Sequence, residues 1–204
     1  MYSLVCLVHL SDVAAETTVR AELQELGAAV APVMEGAFNG GDLAARLTFA
    51  SEADWRASKD AVDAVLVGPA VARADTALSR DVAGGAANPG MAGGVWRGLL
   101  LAANKPQAGE RMDQFESELL LMPRYIPAIR NWRLGRVIAA TGEANWTHVW
   151  EQEYEDLGGL LGPYMLHPYH WAQIDRWFDP ECPDWIVDTR LCHSFAQFGR
   201  SLLG

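Results

Sequence analysis

The chain has 204 residues, half of them hydrophobic and 21% charged, with a formal net charge of −10 and a sequence pI near 4.9. That length suits one large domain or two small ones with a well-buried core, and an acidic chain without a Lys/Arg cluster is a poor partner for nucleic acid or an anionic membrane surface. The three cysteines, Cys6, Cys182 and Cys192, have neither the number nor the spacing for a disulfide framework or a zinc site, which points to a reducing, cytoplasmic setting.

The first segment, "MYSLVCLVHLSD", is apolar and β-branched but lacks the basic lead-in of a signal peptide, so residues 2–10 read as a strand. No apolar run reaches the ~18 residues of a membrane span. Residues 14–30 carry Val19, Leu23 and Leu26 at helical spacing. "EGAFNGGD" (35–42) is turn material, and 43–49 is a second strand. Ser51 and Asp54 have capping-box spacing for the helix that follows, and 73–82 is a third strand. The glycine-rich "AGGAANPGMAGG" (83–94) then reads as a linker. Beyond it the pattern restarts: a strand over 96–103, a helix over 110–122, strands over 133–140 and 145–154, helical segments over 156–166 and 168–178, and a last strand over 185–195.

The chain therefore looks like two copies of one plan, 1–82 and 95–204. "AVLVGPAV" (64–71) lies over "PYMLHPYH" (163–170), and "ADTAL" (74–78) over "VDTRL" (187–191). The second copy carries an extra stretch, 171–184. Tyr164 and His170 fall where the first copy has Val65 and Val71, and His148 falls opposite Leu43. A polar trio in one copy is apolar in the other, so maintaining the fold does not require it.

Each of the three has a structural reading beside a functional one. His148 shares a strand face with Trp146, Trp150 and Gln152, as a core residue or as the polar handle of an aromatic pocket. His170 shares a helical face with Ile174, Trp177 and Phe178, and burial there keeps an imidazole neutral, as a general base requires. A buried Tyr164 hydroxyl needs a partner. His167 and His170 form an HxxH pair with no third ligand nearby, a weak metal signal. Fifteen of the 19 aromatic residues lie after residue 90, which suits either a tryptophan-rich core or a pocket for a planar apolar ligand. P-loop, Gly-x-Gly-x-x-Gly, Gly-x-Ser-x-Gly and HExxH motifs are missing.

"YIPAIRNWRLGRV" (125–137), "NWTHVWEQEY" (145–154) and "YMLHPYHW" (164–171) make residues 95–195 resemble the stress-responsive A/B-barrel (Dabb) family. The resemblance implies an α+β fold, here two tandem ferredoxin-like repeats forming an α+β barrel. It also implies a cofactor-free lyase or cyclase acting on a phenolic or polyketide-like small molecule. In a plant polyketide cyclase of the family, the catalytic tyrosine and histidine match Tyr164 and His170, and a pocket histidine matches His148. The family's first-strand histidine falls near Arg97 or Gly98, so that group is changed. The expected catalytic set is His170, Tyr164 and His148, with Trp146, Trp150, Arg97, His167, Trp171 and Trp177 around the substrate and no metal or cofactor. The wider reading includes a non-enzymatic ligand-binding protein, a haem barrel with His170 or His148 as axial ligand, and a homodimer.

Overall fold

The computed structural model describes residues 1–103, 105 and 108–204. Strict alternation organises the molecule. Along β1 (Tyr2–Leu10), Leu4, Cys6 and Val8 face one way, while Ser3, Val5 and Leu7 face the other. The first set packs under α1 (Glu16–Glu25) and α2 (Glu52–Leu66), together with Leu43, Ala45 and Leu47 of β3 (Leu43–Phe49). Ser51 caps α2 with the expected reciprocal pair of bonds to Asp54. The helix read over 14–30 stops at Glu25. Gly27, at φ +87°, turns the chain into β2 (Ala29–Pro32).

β4 (Val71–Ala86) is longer than the sequence suggests and overturns the start of the proposed linker. Residues 83–86 pair with 134–131 of β6 (Asn131–Thr141), and only the remainder of the stretch turns back. Glycine here serves close packing rather than flexibility. A Cβ on Gly85 would lie 2.3 Å from the Trp132 ring. The second copy continues with β5 (Val95–Leu101), α3 (Ala108–Tyr125), β7 (His148–Tyr154) and β8 (Cys192–Gln197).

The eight strands of the described residues form one antiparallel sheet in the order β2-β3-β1-β4-β6-β7-β5-β8. The second four repeat the order of the first four. β4 and β6 join the halves at one seam. At the other seam, Val33 bridges Ala196 and Phe38 bridges His193, so the sheet nearly closes into a barrel.

Three cores follow from this. One lies under α1 and α2. One lies inside the barrel and includes Val5, Leu7, Trp96, Leu100, Trp146 and Val149. One lies between the outer face of the second half and its helices, around Leu99, Phe115, Trp150, Tyr154 and Trp177. The barrel interior also holds an ion pair between Arg46 and Glu151, with side chains 3% and 1% exposed.

Two sequence readings change in the second half. The helical segments become π-helical turns, Leu160–Tyr164 and Tyr169–Ile174, with Pro163 and Pro168 supplying no N–H to an ordinary ladder. The last strand is only Cys192–Gln197. Residues 185–191 run outside it, with Ile186 and Val187 N–H groups donating to the Trp177 carbonyl.

Candidate active site

The outer face of the second half supplies one wall of a cavity. Alternation along β5 turns Arg97 and Leu99 outward. Register places Trp150 of β7 and His193 of β8 on either side of Leu99. Leu119 and Met122 of α3 form a second wall. The two π-helical turns and the residues after them bring Tyr164, Met165, His170, Ile174, Asp175 and Phe178 over the top. The cavity measures about 260 Å³. A 150 Å³ apolar cavity accepts benzene, so this one has room for roughly one substituted ring.

Tyr164 and His170 meet here. Their ring centroids are 4.5 Å apart at an interplanar angle of 44°. His170 Nε2 lies 3.6 Å from Asp175 Oδ1, and Nδ1 makes no hydrogen bond of acceptable geometry. Burial pulls the His170 pKa below its ordinary value, with Asp175 and a hydrogen bond to the Met165 backbone opposing and Arg97 assisting, so the ring is neutral at pH 7. Burial raises the Asp175 carboxyl, though half of that side chain remains exposed at the mouth. Burial also raises the Tyr164 phenol, against the opposing influence of Arg97 and Gln152 N–H groups, so Tyr164 keeps its proton and can donate it.

Arg97 organises the opposite side. Its Nε–H donates to His193 Nε2 at 2.5 Å, and a terminal N–H donates to Gln152 Oε1 at 2.5 Å. Tyr154 donates to the same Gln152 oxygen at 2.9 Å. The guanidinium carbon sits 5.0 Å from the centre of the Tyr164 ring. Arginine only donates, so His193 must accept at Nε2 and carry its proton on Nδ1. Burial and the Arg97 charge push the His193 pKa down to about 2.

That depression has a testable sign. Below its ordinary value of 6.5, the unfolded chain binds a proton on His193 that the native state refuses. His193 therefore contributes stability that is present above the ordinary value and is lost as pH falls toward the folded one. Each pH unit should cost on the order of 1 kcal/mol in urea unfolding. His193→Gln should show a shallower loss of stability between about pH 7 and about pH 5 than the parent protein. Equal slopes would refute the buried neutral imidazole.

The other expected site residues are placed less centrally. His148 is 3% exposed and does not line the cavity. Its Nε2 is 3.0 Å from Glu116 Oε1 under α3, and its Nδ1 is 2.9 Å from Thr147 Oγ1. Burial alone would raise Glu116, but hydrogen bonds with His148 and Arg136 outweigh it and hold the carboxyl at about 2. Strand alternation does put His148 on the Trp150 face, but two residues further along, under Phe115 rather than over the cavity. Trp146 packs inside the barrel. Trp177 is fully buried against Phe115 and donates to Glu118. His167 Nδ1 accepts from the Tyr169 N–H, and Trp171 is 57% exposed. Trp150 and Arg97 line the cavity as expected.

His193 and Asp175 are the polar lining residues that sequence reasoning missed. His193 alternates with Phe195 on β8, but only the β5–β8 pairing reveals its neighbour. No group of three or more His, Cys, Asp or Glu side chains among the described residues is arranged to hold a metal ion. No helix among them is long and apolar enough to cross a membrane.

Residues 96–188 match the family model described as Stress responsive A/B Barrel Domain. No curated protein matches the chain. Among solved structures, an anthrone oxidase-like protein superposes with a TM-score of 0.71 at 9% identity, covering 97% of this chain and 90% of that one. A putative monooxygenase from Lactobacillus acidophilus gives 0.58 at 9% identity, covering 100% and 99%. A mutant chlorite dismutase from Candidatus Nitrospira defluvii gives 0.57 at 10% identity, covering 96% and 90%. At such identities the likeness is one of fold, and it extends over both halves of the chain.

Proposed function

We propose, from the match of residues 96–188 to the stress responsive A/B barrel family model, that the cavity is a cofactor-independent acid–base site of a cytoplasmic lyase or cyclase acting on a small phenolic or polyketide-like molecule. The observation that carries the proposal is the packing of Tyr164 against His170 on the cavity wall, with Asp175 behind the imidazole.

The chemistry follows from the protonation states. In a bond-cleaving version, the neutral His170 imidazole takes the proton of a hydroxyl β to a carbonyl. The carbon–carbon bond between them breaks and an aldehyde leaves. The bonding pair passes to the carbonyl oxygen as an enolate, toward which Tyr164 donates its hydroxyl proton in a hydrogen bond. The proton held by His170, stabilised by Asp175, then returns to the carbon. Each well-placed proton transfer supplies about 10²–10⁴ in rate. A preorganised oxyanion donor supplies about 10²–10³. In this reading His148 ties α3 to the sheet through Glu116 and does not touch substrate.

The haem alternative fits the donor geometry poorly. His148 engages both ring nitrogens, His193 Nε2 is held by Arg97, and the cavity beside His170, about 260 Å³, holds one substituted ring rather than a porphyrin. The alternative of a ligand-binding protein without turnover shares the cavity and is separated by assay. Purified protein without added cofactor is expected to release aldehyde from phenolic β-hydroxy carbonyl compounds, or to close the ring of a polyketide-like chain. Ligand-dependent stabilisation with no product across both panels would favour simple binding.

A further inference from the structure

The cavity's hydrogen-bonding character is lopsided, and Arg97 is the reason. Its residue is only 5% exposed, yet no carboxylate among the described residues lies within 4.0 Å of the guanidinium. Buried arginines ordinarily sit against a carboxylate, because an unpaired cation taken out of water is costly. Arg46 shows that practice here, with Glu151. Arg97 instead spends two of its donors on neutral groups, His193 and Gln152.

The surrounding polar atoms point the same way. Trp150 Nε1 is a buried donor without a partner beside Leu99. His193 carries its proton on Nδ1 and adds a donor on the same wall, and Tyr164 adds its hydroxyl from above. His170 and the carboxyl of Asp175 lie on the side away from β5. Such a wall is half of an ion pair.

We propose that the ligand of this cavity is an anion, and specifically that a carboxylate or similarly placed permanent negative group on it docks against Arg97, with its ring or chain reaching across Tyr164 to His170. The guanidinium stacks at 5.0 Å on the Tyr164 ring, whose other neighbour is the His170 ring at 4.5 Å. One aromatic or unsaturated carboxylate of single-ring size spans that path within the cavity's volume. Docking supplies the missing counter-charge, and bidentate geometry fixes which carbon faces the base. Arg97 is thus a specificity-determining residue. The first copy has no equivalent demand, since its outer face on β1 and β3 is lined by Leu4, Cys6, Val8, Leu43, Ala45 and Leu47.

This inference rests on the cavity being the substrate site, but the two readings fail separately. The probes are 4-hydroxybenzoate and its neutral isostere 4-hydroxybenzamide, titrated against the whole protein by tryptophan fluorescence and by thermal unfolding. The acid should bind and stabilise. The amide should bind about 10- to 100-fold more weakly, the worth of a charge-assisted pair. Arg97→Gln should abolish the difference and Arg97→Lys should restore part of it. If Arg97→Gln fails to fold, the parent protein still decides: weakening of acid binding by salt with no such effect on the amide supports the ion pair. Equal affinity for acid and amide, a preference that survives Arg97→Gln, or no binding of either compound overturns the proposal. An anion preference without any His170-dependent turnover would leave a carboxylate-binding protein. His170-dependent turnover of neutral substrates alone would keep the acid–base site and remove the anion.

Discussion

His170→Ala is expected to slow turnover by about 10²–10⁴-fold, the contribution of a positioned general base. Tyr164→Phe is expected to slow it by about 10²–10³-fold through loss of the oxyanion donor. Tyr164→Phe keeps the buried ring and removes only its hydroxyl, so native unfolding behaviour should be kept, whereas His170→Ala trims a side chain bordering the cavity and should cost some stability. The telling experiment is the double variant. A base and an oxyanion donor that serve the same transition state act as a unit. The double variant should therefore lose little more than His170→Ala alone, far less than the product of the two single losses. The pH profile should change as well. The parent kcat/KM should fall on the acidic side below about pH 6.5, because His170 must be neutral to accept a proton and burial sets its pKa below the ordinary value. Fully multiplicative losses would mean that the two side chains act in different steps.

The second large effect concerns the barrel rather than the cavity. Glu151 accepts from Arg46 Nε at 2.7 Å and from Trp96 Nε1 at 3.0 Å inside the closed sheet. Arg46 comes from β3 and Glu151 from β7, so the pair ties the two halves across the interior. Glu151→Ala strands a buried guanidinium and should lower the unfolding free energy by about 3–5 kcal/mol. For a chain of this size that corresponds to roughly 6–20 °C in Tm. Replacing both partners with apolar residues, Arg46→Met with Glu151→Met, should recover most of the loss, because the penalty lies in the unpaired charge. Chemical denaturation of the three variants settles it. A double variant as unstable as Glu151→Ala would show that the polar pair itself, and not merely its balance, holds the halves together.

The meeting of Tyr164 and His170 was legible in the sequence because local signals carry it. Pro168 starts a helical turn, and the apolar spacing of His170, Ile174 and Trp177 gives the buried face that the structure shows. Tyr164 and His170 are six residues apart, within reach of one another without any knowledge of the sheet. The repeat was legible for a related reason: two copies of one strand order require the same alternation, and the sheet order confirms it. What remained hidden depends on pairing between distant segments. His193 becomes a neighbour of Arg97 only through the β5–β8 register, across nearly a hundred residues of chain. His148 reads as a pocket residue from its strand face. Its partners, Glu116 and Thr147, emerge only once α3 is laid over β7. The start of the stretch 83–94, residues 83–86, misled for a different reason. Glycine signals both flexibility and close backbone approach, and here the Trp132 ring lying on Gly85 decides for the latter.

The central claim is that His170 moves a proton to and from a ligand held in this cavity with no cofactor. Solvent exchange tests it without knowledge of the natural substrate. In D₂O, a phenolic ketone carrying acidic protons next to its carbonyl is mixed with the protein, and loss of its C–H signals is followed by NMR. The parent protein should catalyse exchange at substoichiometric concentration. His170→Ala should reduce this to the buffer rate, with partial recovery on adding free imidazole. Exchange that proceeds equally well in His170→Ala would contradict the account.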